Sequence, residues 1–169
     1  LSKLQAGVQE LNAVQVNLTK EIQSIIKRYE TLLKQNEYDI RFEYTEDVTV
    51  LGDIIKLDQV IYNLINNAIN YSGEDHQVIV RQQLHEDSVR IEIIDHGPGI
   101  EKDKLPYIWE RYYKVDKTHV RSKVGSGLGL SIVKAVLELH KAAYGVHSEE
   151  GKGSIFWFSL PYIKSDAAQ

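Results

Sequence analysis

The stretch from Val78 to Asp95 constrains the fold more than any other part of the chain. Two apolar-rich runs, Val78–His85 and Ser88–Asp95, are separated only by Glu86-Asp87, which predicts a β-hairpin. In the second run Val89, Ile91 and Ile93 share one face by the two-residue period of a strand. Asp95 continues that face at the strand end, where a carboxylate is costly unless it is paired. The chain then turns through His96-Gly97-Pro98-Gly99-Ile100, a backbone with few side chains to block an approaching group.

The rest of the pattern supplies the layer that an apolar hairpin face needs. Leu18, Ile22, Ile25, Ile26, Tyr29, Leu32 and Leu33 keep one apolar stripe to about Asn36, and Thr19 is the expected N-cap. A second helix is predicted from Ile54 to Tyr71, with Leu57, Val60, Ile61, Leu64, Ile65 and Ala68 facing a core. A third runs from Gly129 to His140. Short strands are expected at Ala13–Asn17, Ile40–Tyr44, Val48–Leu51, Ala143–Ser148 and Ser154–Leu160, the last two joined by Glu150-Gly151-Lys152-Gly153. The order predicts an α/β two-layer sandwich: a mixed, mainly antiparallel sheet with helices on one face. Residues 96–126 show little sustained periodicity, which in a compact domain marks a functional or mobile segment. Residues 12–163 are read as the domain and 164–169 as a C-terminal tail. Leu1, Leu4, Val8 and Leu11 form a helical stripe too short to fold alone, read as the tail of a preceding helix.

Composition removes several classes of chemistry. The 169 residues contain no cysteine, which excludes thiol catalysis and Cys-ligated zinc. The net charge of −4 gives no global basic field for nucleic acid. No apolar run approaches the roughly 20 residues that span a bilayer. The chain begins at Leu1 and has no methionine, so it is read as a piece of a longer protein.

Several residues are candidates for chemistry. Asn63 and Asn67 lie one turn apart on the second helix, with Gln59 and Asn70 beside them. Such a stripe is either a solvated face or a row of neutral oxygens and amides toward a ligand or a hard cation such as Mg²⁺. Asp95 either starts a turn and bonds its own backbone, or accepts hydrogen bonds from an amine in a pocket. Gly125-Ser126-Gly127-Leu128-Gly129-Leu130 opens the third helix, whose N-terminal N–H groups suit phosphate; a hinge and cap is the other reading. The run Arg111, Lys114, Lys117, Arg121 and Lys123 is either solvated surface or, since it leads into that glycine patch, positive charge placed to meet a polyphosphate, the favoured reading. Ser154 follows Gly151-Lys152-Gly153 and shares a face with Phe156, Phe158 and Leu160, so its hydroxyl points toward the core; it is either directed at a ligand or, the stronger reading on these residues alone, simply starts a strand after a hairpin turn.

Taken in order, Asn-x-x-x-Asn-Ala on a helix, Asp-x-Gly-x-Gly-Ile, an aromatic loop, Gly-x-Gly-Leu-Gly-Leu and Gly-x-Gly-Ser resemble the ATP-binding catalytic domain of sensor histidine kinases. That domain is grouped with gyrase, the ninety-kilodalton heat-shock chaperones and the mismatch-repair ATPases, all of Bergerat-type fold. The resemblance covers about residues 12–163. It implies that Asp58–Ser72 is the N box, with Asn67 the Mg²⁺ ligand, Asn63 near the phosphates and Tyr71 against the nucleoside. It implies that Asp95 takes the adenine amine, that Gly97, Gly99 and Ile100 form the turn under the base, and that Ser154 stands near the adenine. Ile108–Lys114 resembles the F box, with Trp109 where Phe is usual. Residues 101–126 would be the ATP lid, Gly125, Gly127 and Gly129 would wrap the phosphates, and Leu128 and Leu130 would pack beneath them. Arg111 and Lys114, with Asn63, are the residues implied to assist transfer. Asn70 departs from the usual Lys or Arg before the N-box aromatic.

The implied function is transfer of the γ-phosphoryl group of ATP to a histidine on a separate dimerisation domain, for relay to a response regulator. None of the six histidines has an acid and a proline at phosphoacceptor spacing, so the acceptor is expected outside the chain. The expected setting is a cytoplasmic domain of a membrane-bound, homodimeric parent, monomeric in isolation. A degenerate nucleotide-binding or interaction module is the alternative, suggested by Asn70. A hydrolytic ATPase is disfavoured, because Asn63 stands where such enzymes carry a water-orienting glutamate.

Overall fold

A computed structural model describes residues 10–33, 37–111, 113 and 129–164. Of the helix tail expected over residues 1–11, residues 1–9 lie outside them, and residues 10 and 11 are described and not helical. Seven strands form one sheet: β1 (Val14–Asn17), β2 (Asp39–Glu43), β3 (Thr49–Gly52), β4 (Gln77–Leu84), β5 (Ser88–Asp95), β6 (Ala143–Glu149) and β7 (Gly153–Ile163). Among the described residues three α-helices accompany them: α1 (Leu18–Leu33), α2 (Ile54–Asn70) and α3 (Gly129–Leu139). The order across the sheet is β1-β3-β7-β5-β4-β2, with β6 also on β7. Only β2 with β4 is parallel among these pairs; the others are antiparallel, as the pattern predicted.

The predicted hairpin is the centre of the sheet. Leu84 faces Val89 in register, and the His85 N–H donates to the Ser88 carbonyl at 2.8 Å to close the turn. Strand β7 lies along β5 with Asp95 opposite Ser154, Ile93 opposite Phe156 and Ile91 opposite Phe158. These side chains, with Val78 and Val80 of β4, are buried under the helices. The other face of the same strands carries Arg81, Arg90, Glu92 and Trp157; Arg81 bridges to Glu43 at 2.9 Å and Arg90 stacks its guanidinium 4.1 Å from the Trp157 ring. Alternation therefore sets the layers: one apolar face covered by helix, one polar and aromatic face.

Helix α2 buries all six residues predicted to face the core, and Ile69 as well. Each large apolar side chain so buried contributes roughly 1.5–3 kcal/mol of transfer free energy, enough to hold α2 against the sheet despite its asparagines. Asp53 caps it by accepting the Lys56 N–H at 3.2 Å, and also accepts the Asn12 N–H at 3.1 Å. The Asp53 N–H in turn donates to His140 Nε2 at 3.1 Å, while His140 Nδ1 donates to the Val136 carbonyl at 2.8 Å. The end of α3 is thereby tied to the start of α2.

One cap differs from the expectation. Asn17, not Thr19, caps α1, its side-chain oxygen accepting the Lys20 N–H at 3.0 Å. Thr19 is fully buried and belongs to the sheet-facing side: it donates to Gln82 Oε1 at 2.8 Å and accepts the Val48 N–H at 2.9 Å. Both residues are competent caps by type; the start of the helix at Leu18 decides between them. A further difference is the 3₁₀ turn Leu105–Tyr107, inside the stretch read as lacking regular structure.

Candidate functional site

The C-terminal end of β5, the start of β7 and the last turn of α2 enclose a cavity of about 290 Å³. This is near the lower end of small-ligand pockets, the scale of a ring system rather than of a peptide. Asp95 and Asn67 both open onto it. The two residues come from different elements and were paired only by the resemblance.

Asp95 is 2% exposed. Burial pushes its carboxyl up to about 6, while hydrogen bonds from the Gly97 and Ser154 backbone N–H groups and the nearby His96 pull it back down. Gly97 donates to Asp95 Oδ1 at 2.9 Å, so the turn-starting role is real. It leaves the pocket role open, since a carboxylate has two oxygens and about four lone-pair directions. The turn role and the pocket role are thus compatible in one residue.

The turn after Asp95 has no room for side chains where the glycines stand. A Cβ on Gly97 would lie 1.6 Å from the Tyr71 carbonyl oxygen. Gly99 has φ of +73°, and a Cβ there would lie 2.2 Å from the Glu149 carbonyl oxygen. The Gly151 N–H donates to the Pro98 carbonyl at 2.7 Å, pressing the turn on the β6–β7 connection. On the other side His96 Nδ1 meets Asp75 Oδ2 at 2.7 Å, which holds the Asp75 carboxyl below its ordinary range.

Of the other expected site residues, Tyr71, Gly99, Ile100, Leu130 and Ser154 line the cavity, and Asn70 does so beside Asn67. Asn63 lies one turn back against the mouth of α3, where a Cβ on Gly129 would stand 3.3 Å from Asn63 Oδ1. Gln59 is exposed and outside the cavity, and so is Arg111. Lys114, Gly125, Gly127 and Leu128 fall outside the described residues, as do residues 112 and 114–126 of the expected lid.

Sequence reasoning missed several lining residues. Ile108, 2% exposed, and Tyr113 close one wall, and Phe156 forms the floor. Trp109 packs edge-on against Phe156 and Tyr144, with ring centroids 5.7 and 5.2 Å away. Ser148 was also missed. Its Oγ accepts the Ile100 N–H at 2.8 Å and lies 2.7 Å from Ser154 Oγ. Its position was legible in principle, because a tight hairpin through residues 149–153 sets Ser148 opposite Ser154.

The described lining of the cavity combines a buried carboxylate at a strand end, the Ser154 hydroxyl opposite it, the hydroxyls of Tyr71, Ser72 and Tyr113, and neutral amides on a helix face. Mg²⁺ fits the amide end: Asn67 offers a hard neutral oxygen on the half-buried face, and Mg²⁺ takes few protein ligands and keeps several waters. Among the described residues no group of three or more His, Cys, Asp or Glu side chains is placed to hold a metal by itself.

Comparison with known proteins agrees with this geometry. Residues 52–164 match the family described as histidine kinase-, DNA gyrase B- and HSP90-like ATPase. The sensor histidine kinase WalK of Bacillus subtilis is 34% identical over 164 residues, covering 96% of this chain and 27% of WalK. The chain thus spans about a quarter of that relative. The solved catalytic domain of histidine kinase ThkA superposes with a TM-score of 0.76 at 26% identity, over 90% of this chain and 96% of that one. Full-length ShkA in complex with AMPPNP gives 0.79 at 25% identity, over 98% of this chain and 35% of that one. By sequence match and by fold, the chain belongs to the histidine kinase-, DNA gyrase B- and HSP90-like ATPase family, with the architecture of a histidine kinase catalytic domain.

Proposed function

We propose that this chain binds Mg²⁺-ATP and transfers its γ-phosphoryl group to a histidine on a dimerisation domain outside the chain. A response regulator receiver domain then takes the phosphoryl group. The observation that carries the reading is the shared cavity: Asp95 at one end and Asn67 at the other open onto one space of base-sized volume.

The residues divide the task. The Asp95 carboxylate accepts the exocyclic amine of adenine, and Tyr71, Ile100 and Ile108 enclose the ring. Gly97 and Gly99 keep the turn low enough for the base to approach. Asn67 and Asn63 face the phosphates, and the N–H groups at the start of α3 point their positive dipole end the same way. Arg111 and Lys114, from the segment beyond the cavity, are proposed to reach the γ-phosphate. Mg²⁺ on Asn67, when bound, neutralises charge on the phosphate oxygens. Transfer then rests on positioning and charge neutralisation, with little covalent work for the protein.

Asn63 decides between acceptors. An amide cannot take a proton from water, so hydrolysis is slow. A neutral imidazole attacks with its own lone pair and needs no base. The parent is proposed to be a homodimer held at the bacterial membrane by segments outside this chain; among the described residues no helix is long and apolar enough to cross a membrane.

The test is to incubate the chain with Mg²⁺-ATP and a separately produced acceptor domain of the parent. Acid-labile, base-stable phosphate should appear on the acceptor histidine, while ATP turnover by the chain alone stays low. ATP binding without any phosphohistidine would support the degenerate-module reading instead.

A further inference from the structure

We propose that Ser148 is a positioning residue for base recognition, acting through the hydroxyl of Ser154. The inference rests on the nucleotide reading above and names how the base is read beside Asp95.

Ser148 stands behind the cavity wall. Its Oγ accepts the Ile100 N–H at 2.8 Å, lies 3.1 Å from the Gly153 carbonyl, and lies 2.7 Å from Ser154 Oγ. Ser154 is 6% exposed, lines the cavity, and faces Asp95 in register across β5 and β7. One hydroxyl thus touches the turn under the base, the β7 backbone and the side chain next to the carboxylate.

A count of hydrogens limits what this triad can do. A serine hydroxyl has one hydrogen and two lone pairs. The Ile100 N–H occupies one lone pair of Ser148. If the Ser148 hydrogen goes to the Gly153 carbonyl, the Ser154 hydrogen fills the remaining lone pair, and Ser154 shows only lone pairs to the cavity. If the Ser148 hydrogen turns to Ser154 Oγ, the Ser154 hydrogen is released into the cavity. A base that gives an exocyclic amine to Asp95 presents a ring nitrogen lone pair on either side of that amine, N1 or N7. It therefore selects the second arrangement. Ser148 lets Ser154 donate while Ser154 still keeps a hydrogen-bond partner, and it holds the turn through Ile100 at the same time.

The experiment compares the affinity of the chain for ADP, 1-deaza-ADP and 7-deaza-ADP by calorimetric titration, for the unsubstituted chain, Ser148→Ala and Ser148→Thr. The unsubstituted chain should prefer ADP over one of the deaza analogues by about tenfold, the loss of one hydrogen bond in a dry site. Ser148→Ala should weaken ADP and bring that ratio toward one. Ser148→Thr, which keeps the hydroxyl, should retain the ratio. If Ser148→Ala does not fold, Ser148→Cys, nearly isosteric and a weak hydrogen bonder, takes its place with the same expected loss of ratio. A substitution that weakens all three ligands equally makes Ser148 merely structural and overturns the proposal, as does an unsubstituted chain that treats the three alike. Failure of the unsubstituted chain to bind ADP at all overturns the nucleotide reading itself, and this inference with it.

Discussion

The two ends of the cavity are built by opposite means. At the strand end Asp95 and Ser154 are 2% and 6% exposed, hydrogen-bonded into the backbone, and flanked by glycines whose Cβ positions are already taken. At the helix end Asn67 and Asn70 are half-buried on the face of α2 that the core does not use, and Tyr71 follows them as the helix C-cap. The strand end is held by two paired strands and two abutting turns. The helix end offers neutral amides on one half-buried helix face, which the proposed function turns toward phosphate and metal. On the proposed reading, base recognition and phosphate contact fall on parts of the fold with different tolerance to change.

That contrast can be broken most directly at Gly97. Gly97→Ala places a methyl group 1.6 Å from the Tyr71 carbonyl oxygen. It should abolish ADP binding and lower the melting temperature by about 10 °C, a cost of about 3 kcal/mol or more for a chain of this size. Thermal melts of Gly97→Ala beside Asn67→Ala, which should melt within about 2 °C of the unsubstituted chain, test the claim; equal losses would erase the distinction between the two ends.

Asp95→Asn separates recognition from stability at the strand end. Losing a charge-assisted hydrogen bond to the base should weaken ADP by about a hundredfold. The melting temperature should hold or rise, because the removed carboxylate is poorly solvated.

The pH dependence follows from the same group. Burial raises the Asp95 carboxyl from its ordinary 3.8 to about 6. A raised carboxyl stabilises the free fold when protonated, so that contribution is complete below pH 3.8 and is lost as pH rises through 6. The ionised carboxylate, with every lone pair free to accept, binds an amine much more strongly than the protonated form. ADP affinity should thus fall about tenfold per pH unit below 6 and level off above 7. Free-fold stability from this group and ligand affinity move in opposite directions over the same window. His96 and Asp75 face the group and shift it in opposing senses. Titrations from pH 5 to 8 should show the slope in the unsubstituted chain and none in Asp95→Asn.

A smaller effect is expected at the helix end. Asn67→Ala should cost about tenfold in ATP affinity with Mg²⁺ present and little with a chelator, the loss of one ligand from an ion that keeps most of its waters. An equal loss with and without Mg²⁺ would remove Asn67 from the metal.

The smallest change lies away from the cavity. Asp58 on α2 has a carboxyl raised to about 6 by burial and by the adjacent Glu21, and its Oδ1 is buried without a hydrogen-bond partner. Asp58→Asn should raise the melting temperature by about 1–3 °C at pH 7, since one poorly compensated charge is removed. ADP affinity should be unchanged.

Much of the scaffold was legible because periodicity reports burial. The hairpin, the apolar stripe of α2 and the inward face of β7 all follow from which side of each element must leave water. The same reasoning located Asp95 and Ser154 on apolar faces, where a polar group needs a partner. Thr19 suits both a cap and a buried site, and only the packed position of Gln82 and Val48 decides between them. Ser148 was missed because its role depends on a pairing across strands and on the Ile100 backbone, neither of which leaves a periodic trace.

The sequence by itself determined the layers, the apolar faces and the residue types able to read a base or share a metal ion, since these depend on local pattern and side-chain chemistry. Tertiary structure decided that Asp95, Ser154 and Asn67 open on one cavity and that Gln59 and Arg111 do not. The reason is geometric: a strand end and a helix face far apart in the chain meet only after the sheet closes over α2, and that closure fixes which polar groups share a space.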